Sequence, residues 1–115
     1  MTAQALAEQL STNDGPFVLD VRAEKEASIV RLAGSHNIPL THLRERINEV
    51  PMDRTVAVHC ERGYRSAIAC SLLAQAGRSN VTDLVGGIKA WIATRLPTQP
   101  ENTLTCGTKI CETVV

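Results

Sequence analysis

One hundred and fifteen residues are enough for one domain with a modest core and too few for two. With 43% apolar, 21% charged and 3% aromatic residues the chain has a globular composition, which argues against wholesale disorder. Twelve Lys and Arg offset twelve Asp and Glu, so formal charge is zero; without a basic block or a ladder of aromatics, nothing points to nucleic acid as a partner.

In chain order, Thr2 to Leu10 predicts a short helix, with Ala3, Leu6, Ala7 and Leu10 on one stripe. Ser11 to Pro16 is a turn cluster, and Phe17-Val18-Leu19 a short apolar strand ended by Asp20. Ala23 to Ile29 predicts a short helix, and Ala33 to Pro39 a loop around a very short strand. Thr41 then offers a cap for a helix carrying Leu40, Leu43, Ile47 and Val50 at helical spacing, stopped by Pro51. Val56-Ala57-Val58 is a second strand, followed at once by the charged, glycine-containing segment Cys60 to Arg65. Ser66 to Ala76 is the strongest helix, with Ile68, Leu72, Leu73 and Ala76 expected inward and Gly77 closing it. Val81 to Val85 is a third strand, Gly86-Gly87 a turn, and Ile88 to Ile92 the start of a last helix. From Arg95 the pattern fades into a polar tail, so residues 1–96 are expected to form the domain and 97–115 a C-terminal extension.

Apolar strands alternating with helices predict an α/β domain with a parallel sheet between helical layers. In such sheets chemistry gathers past the carboxyl ends of the strands, which directs attention to the loop after Val56–His59. No apolar run approaches the roughly 20 residues needed to cross a bilayer, so no membrane partner is expected. The segment Met1 to Leu10 lacks the basic and apolar regions of a secretory signal, which makes the cytoplasm the expected location. In a reducing compartment Cys60, Cys70, Cys106 and Cys111 are expected as thiols, and their spacing does not suit a structural zinc site.

In the segment His59-Cys60-Glu61-Arg62-Gly63-Tyr64-Arg65-Ser66 a strand delivers a cysteine to a short loop from which a helix leaves. If the loop curls, the N–H groups of residues 61 to 66 converge on the Cys60 sulfur, and the helix N-terminus adds partial positive charge. Arg65 closes the rim and Arg62 stands nearby. Such surroundings lower the thiol pKa and favour the nucleophilic thiolate. A lone cysteine after a strand is often a small buried hydrophobe. Two arginines and a glutamate beside it do not fit a packed core.

These residues resemble the rhodanese-like domain family of sulfurtransferases, from about Leu6 to Leu96. Four anchors carry the resemblance: Asp20-Val21-Arg22 with Glu26, Gly34-Ser35-His36-Asn37-Ile38-Pro39, the loop Cys60 to Ser66, and Gly86-Gly87-Ile88 with Trp91. Ala27, Val30-Arg31-Leu32 and Arg62 depart from the usual pattern. The resemblance implies a central, mostly parallel five-stranded sheet flanked by helices. It also implies transfer of a sulfane sulfur from thiosulfate or a persulfide donor to a thiol or cyanide, through a Cys60 persulfide. Cys60 would be the nucleophile, with Glu61, Arg62, Gly63, Tyr64, Arg65 and Ser66 forming the anion-binding loop and Asp20 and Arg22 as structural support. No metal and no organic cofactor are expected; the partners would be small sulfur-containing anions or thiols, or a sulfur-accepting protein. Two other readings stay open. One is a binding or sulfur-carrier module. The other is a phosphatase, although only four residues separate Cys60 from Arg65, one fewer than the phosphatase loop, which must reach three phosphoryl oxygens.

Several neighbours are expected to be structural. Asp20 should bond backbone near the loop, and Arg22 should pair with Glu26 four residues on. His59 should point to the opposite face of its strand from Cys60. His36 and His42 have no third ligand to complete a metal site, Trp91 should plug the core, and Cys70 should pack in it. Cys106 and Cys111 are either incidental thiols of a mobile tail or a pair able to accept sulfur from Cys60.

Overall fold

A computed structural model describes residues 1–12 and 15–99. Its elements are α1 (Ala3–Leu10), β1 (Phe17–Asp20), α2 (Glu24–Ile29), β2 (Arg31–Leu32), β3 (His36–Asn37), β4 (Val56–His59), α3 (Tyr64–Gln75), β5 (Val81–Asp83), α4 (Gly87–Ala93) and β6 (Thr98–Gln99). The main sheet has the order β3-β1-β4-β5 and is parallel throughout. It has four strands where five were expected. The remaining strands, β2 and β6, pair with each other in a separate antiparallel ribbon, Arg31 opposite Gln99 and Leu32 opposite Thr98.

The period-two alternation of the central strands divides the interior in two. Leu19, Val56 and Val58 face one side, with Leu43, Val50, Ala69 and Leu73 over them. Val18 and Ala57 face the other, under Ala3, Leu6, Leu84, Ile88 and Trp91. All four residues of β4 are buried, as a central strand covered on both faces requires. Trp91 fills the second side as expected, and its indole N–H donates to the Pro97 carbonyl at 2.7 Å.

Two helical expectations need correction. Residues 40–50 do not form one helix: Leu40–His42 and Ile47–Glu49 are separate 3₁₀ turns, with Pro39 rather than Thr41 before the first. The apolar spacing still served its purpose, because Leu43 and Val50 are buried and Leu40 and Ile47 pack against them. On α3 the inward stripe is Ser66, Ala69 and Leu73, while Ile68 and Ala76 are exposed. Small side chains face the sheet where the helix leaves the loop, and the larger Ile68 turns outward. Gly77 does close α3: its N–H donates to Ala74 O at 3.1 Å, and that of Arg78 to Leu73 O at 2.9 Å.

Candidate functional site: a cysteine in a collar of amides

The carboxyl ends of β1, β4 and β5 lie at one edge of the sheet, and β4 passes Cys60 directly into the β4–α3 loop. Cys60 is 1% exposed and belongs to the core cluster beneath α3. The surrounding amides nonetheless face it. Gly63 N–H donates to Cys60 Sγ at 3.0 Å, and Cys60 Sγ–H donates to Ser66 Oγ at 3.5 Å. The Ser66 hydroxyl in turn donates to Gly63 O at 3.2 Å. Gly63, at φ +123°, holds a backbone conformation that side chains rarely adopt, and this turns its amide back toward the sulfur.

α3 begins without a side-chain cap: Gly63 occupies the N-cap position. The first amides of a helix lack intrahelical partners and need another acceptor. Here the sulfur serves as one for the Gly63 amide, and the backbone amide of Ser66 also lowers the Cys60 thiol pKa. Burial pushes the Cys60 thiol up, but the Ser66 hydroxyl and the amides of Ser66, Gly63 and Arg62 outweigh it. The net direction is below the ordinary thiol value.

The remaining loop residues divide sharply. Glu61 and Arg62 form a loose, exposed pair at 3.6 Å, and Tyr64 is 83% exposed. Arg65 does not turn its guanidinium to the sulfur. Its Nη1 and Nη2 donate to the two carboxylate oxygens of Glu26 at 2.6 and 3.0 Å. Glu26 also accepts the Ala23 amide, and the Arg65 hydrogen bond is the main cause that holds its carboxyl down from 4.5 to about 2. Glu26 is thus a residue of the site's rim that sequence reasoning had assigned to Arg22.

Arg22 instead pairs with Asp20. Nη2 donates to Oδ2 at 2.7 Å and Nε to Oδ1 at 3.0 Å, and both residues are buried. The Arg22 amide closes a further bond to Asp20 Oδ1 at 2.9 Å, and Nη2 also reaches Val30 O. The carboxylate therefore bonds Arg22 rather than backbone of the active loop. Arg22 precedes α2, so helical i,i+4 geometry never applied to Arg22 and Glu26. Asn37 ties the knot to β3 by donating to Asp20 O and Arg22 O, each at 3.0 Å.

His59 is buried on the Asp20 side of the sheet, with Nε2 3.9 Å from Asp20 Oδ2. Burial lowers its pKa, against the opposing pull of Asp20, which favours the neutral ring. On the strand it alternates with Val58 and Cys60, which pack together in the core on the other face. His36 and His42 sit beside Glu49 and Glu45, respectively. Among the described residues no group of three or more His, Cys, Asp or Glu is placed to hold a metal, and no helix is long and apolar enough to cross a membrane. Cys70 packs half-buried against the core under α3. Cys106 and Cys111 lie outside the described residues.

A parallel sheet that feeds a cysteine into a ring of helix-terminal amides defines a class of α/β proteins built around an activated thiol. Within that class the chain belongs to the rhodanese-like domain family, which its residues 2–94 match. A sulfurtransferase of Allochromatium vinosum is 32% identical over 95 residues, covering 83% of this chain and 89% of that protein. The adenylyltransferase and sulfurtransferase uba4 of Ogataea parapolymorpha is 39% identical over 85 residues, which are 73% of this chain but 22% of that protein. The chain thus spans most of the first relative and about a fifth of the second. Among solved structures, a rhodanese-related protein of Thermoplasma volcanium superposes with a TM-score of 0.78 at 38% identity, covering 85% of this chain and 94% of the other.

Proposed function

We propose that this protein is a sulfurtransferase that carries a sulfane sulfur on Cys60. The observation behind this reading is the Gly63 amide aimed at Cys60 Sγ at 3.0 Å, joined by the Ser66 hydroxyl. A thiolate held this way attacks the outer sulfur of thiosulfate. A new S–S bond forms at Cys60, the S–S bond of thiosulfate breaks, and sulfite leaves with the bonding electron pair. The product, Cys60–S–S⁻, carries its charge on the terminal sulfur, and fixed N–H dipoles suit that charge without rearrangement. Cyanide or a thiolate then takes the terminal sulfur as thiocyanate or a new persulfide, and the Cys60 thiolate is restored. Arg65, engaged by Glu26, supports the rim; Arg62, exposed and only loosely paired with Glu61, is placed to meet an anionic donor.

A protein acceptor is the second reading, in which the domain hands sulfur to a partner. It is supported by relatives such as the Ogataea protein, in which the matching region is a small part of a chain named for two activities. The test is a matrix of donors (thiosulfate, glutathione persulfide) and acceptors (cyanide, glutathione, dithiothreitol), with intact-mass analysis. A gain of one sulfur on wild type and none on Cys60→Ala supports the proposal. No gain with any donor favours a binding role, and hydrolysis of an aryl phosphate in its place would move the protein to the phosphatases.

A further inference from the structure

The Gly86-Gly87 pair reads in the sequence as a turn and as part of a family anchor, with no role of its own. In the structure it lies against the cysteine loop. Ile88 N–H donates to Cys60 O at 2.9 Å and Lys89 N–H donates to Glu61 O at 3.2 Å. A peptide unit is planar and trans, so its N–H points opposite to its C=O. Fixing the Cys60 and Glu61 carbonyls toward α4 therefore turns the amides of Glu61 and Arg62 away from α4. The Arg62 amide is the smallest of the groups that lower the Cys60 thiol pKa, and it immediately precedes the Gly63 amide that donates to Sγ at 3.0 Å. The approach is so close that a Cβ on residue 87 would stand 2.4 Å from Cys60 O and 2.5 Å from Glu61 O. Gly87 also has φ +60°.

We propose that Gly87 and the first turn of α4 are positioning elements for the anion collar: by holding the Cys60 and Glu61 carbonyls outward they aim the Arg62 amide at the Cys60 sulfur. The inference rests on the collar described above and not on the transfer reaction. A side chain at position 87 pushes these two carbonyls off α4, the peptide planes rotate, and the thiolate loses a donor.

Iodoacetamide alkylation of Cys60 in the full chain, followed by peptide mass analysis as a function of pH, tests this without any sulfur donor. Gly87→Ala is expected to raise the pH of half-maximal alkylation by about one unit, roughly tenfold slower alkylation at pH values below the inflection. Gly86→Ala is the control. Its Cβ would lie 2.8 Å from Ala90 Cβ at φ +77°, so it strains the same turn without meeting the loop. It is expected to keep the wild-type inflection. An unchanged inflection in Gly87→Ala, or an equal shift in both variants, overturns the inference. If Gly87→Ala loses its cooperative thermal transition, the α-hydroxy analogue of lysine at position 89 replaces it, since the ester removes the N–H that meets Glu61 O, with a weaker Ile88 carbonyl acceptor as its one side effect. That variant must raise the inflection, and a wild-type value would overturn the inference equally. Failure here leaves sulfur transfer standing, and failure of sulfur transfer leaves this titration readable.

Discussion

Cys60 and Cys70 belong to the same core, one at the start of the β4–α3 loop and the other in the middle of α3. Cys60 is almost without solvent contact, whereas Cys70 is half-buried. Exposure alone would make Cys70 the more acidic thiol. The structure reverses that order. Burial pushes Cys70 up to about 11, with the Asp83 carboxylate adding to the effect. At Cys60 the same penalty is exceeded by one hydroxyl and three amides. Inside α3 the amides are spent on the helix's own carbonyls; at its N-terminus they are free to serve a sulfur. Position along one helix, not distance from water, separates an inert thiol from an activated one.

The most severe way to break this contrast is to exchange the two residues' fates. Cys60→Ala is expected to abolish sulfur loading, and Cys70→Ala to leave it intact, as read by intact mass after thiosulfate. With the wild-type protein at pH 7, iodoacetamide should label Cys60 first. A thiol of pKa near 11 is then only about one part in ten thousand thiolate.

Asp20→Ala separates stability from reactivity. It leaves the Arg22 guanidinium buried without its carboxylate, for which a loss of about 3–5 kcal/mol is expected in urea unfolding. The Cys60 to Cys70 labelling ratio of the folded fraction should persist; a collapse of that ratio would mean that the knot shapes the collar directly. Ser66→Ala sharpens the contrast from the other side. It removes the hydroxyl from Sγ, and the Cys60 alkylation inflection should move up toward 9.0, the ordinary thiol value.

The smallest effect is expected at the rim. The Glu26 carboxyl is held near 2 in the folded chain against 4.5 ordinarily, so its pairing with Arg65 adds stability above pH 4.5 and loses it as pH falls toward 2. Glu26→Gln should flatten the acid limb of the stability profile over that interval. Because the pair is about one-third exposed, the change should be modest. Labelling of Cys60 near neutral pH should barely respond.

Much of this was legible in the sequence. The strands around Phe17, Val56 and Val81 announce themselves by short apolar runs, and the loop by charge set beside a cysteine and a glycine. Local signals also gave the face of His59 and the helix stop at Gly77. What stayed hidden depends on contacts between distant segments. Glu26 meets Arg65 across 39 residues, and Arg22 turned to Asp20 because α2 starts two residues beyond it. The inward face of α3 was misread because a stripe built on Ser66 and Ala69 has little hydrophobic signal. The β2–β6 ribbon was invisible for a similar reason: two-residue strands carry no periodicity. Gly87 read as part of a turn and of a family anchor, but nothing local shows that another backbone lies within touching range.

The hydroxyl of Ser66 has a final consequence. It receives the sulfur's proton while sending its own to Gly63 O, at 3.5 and 3.2 Å. When the sulfur gives up its proton, a single rotation about the serine C–O bond converts that oxygen from recipient to giver. Charge can therefore appear and vanish on this sulfur as the thiol loses and regains its proton while the main chain stays still, and the reorganisation cost falls on one light atom.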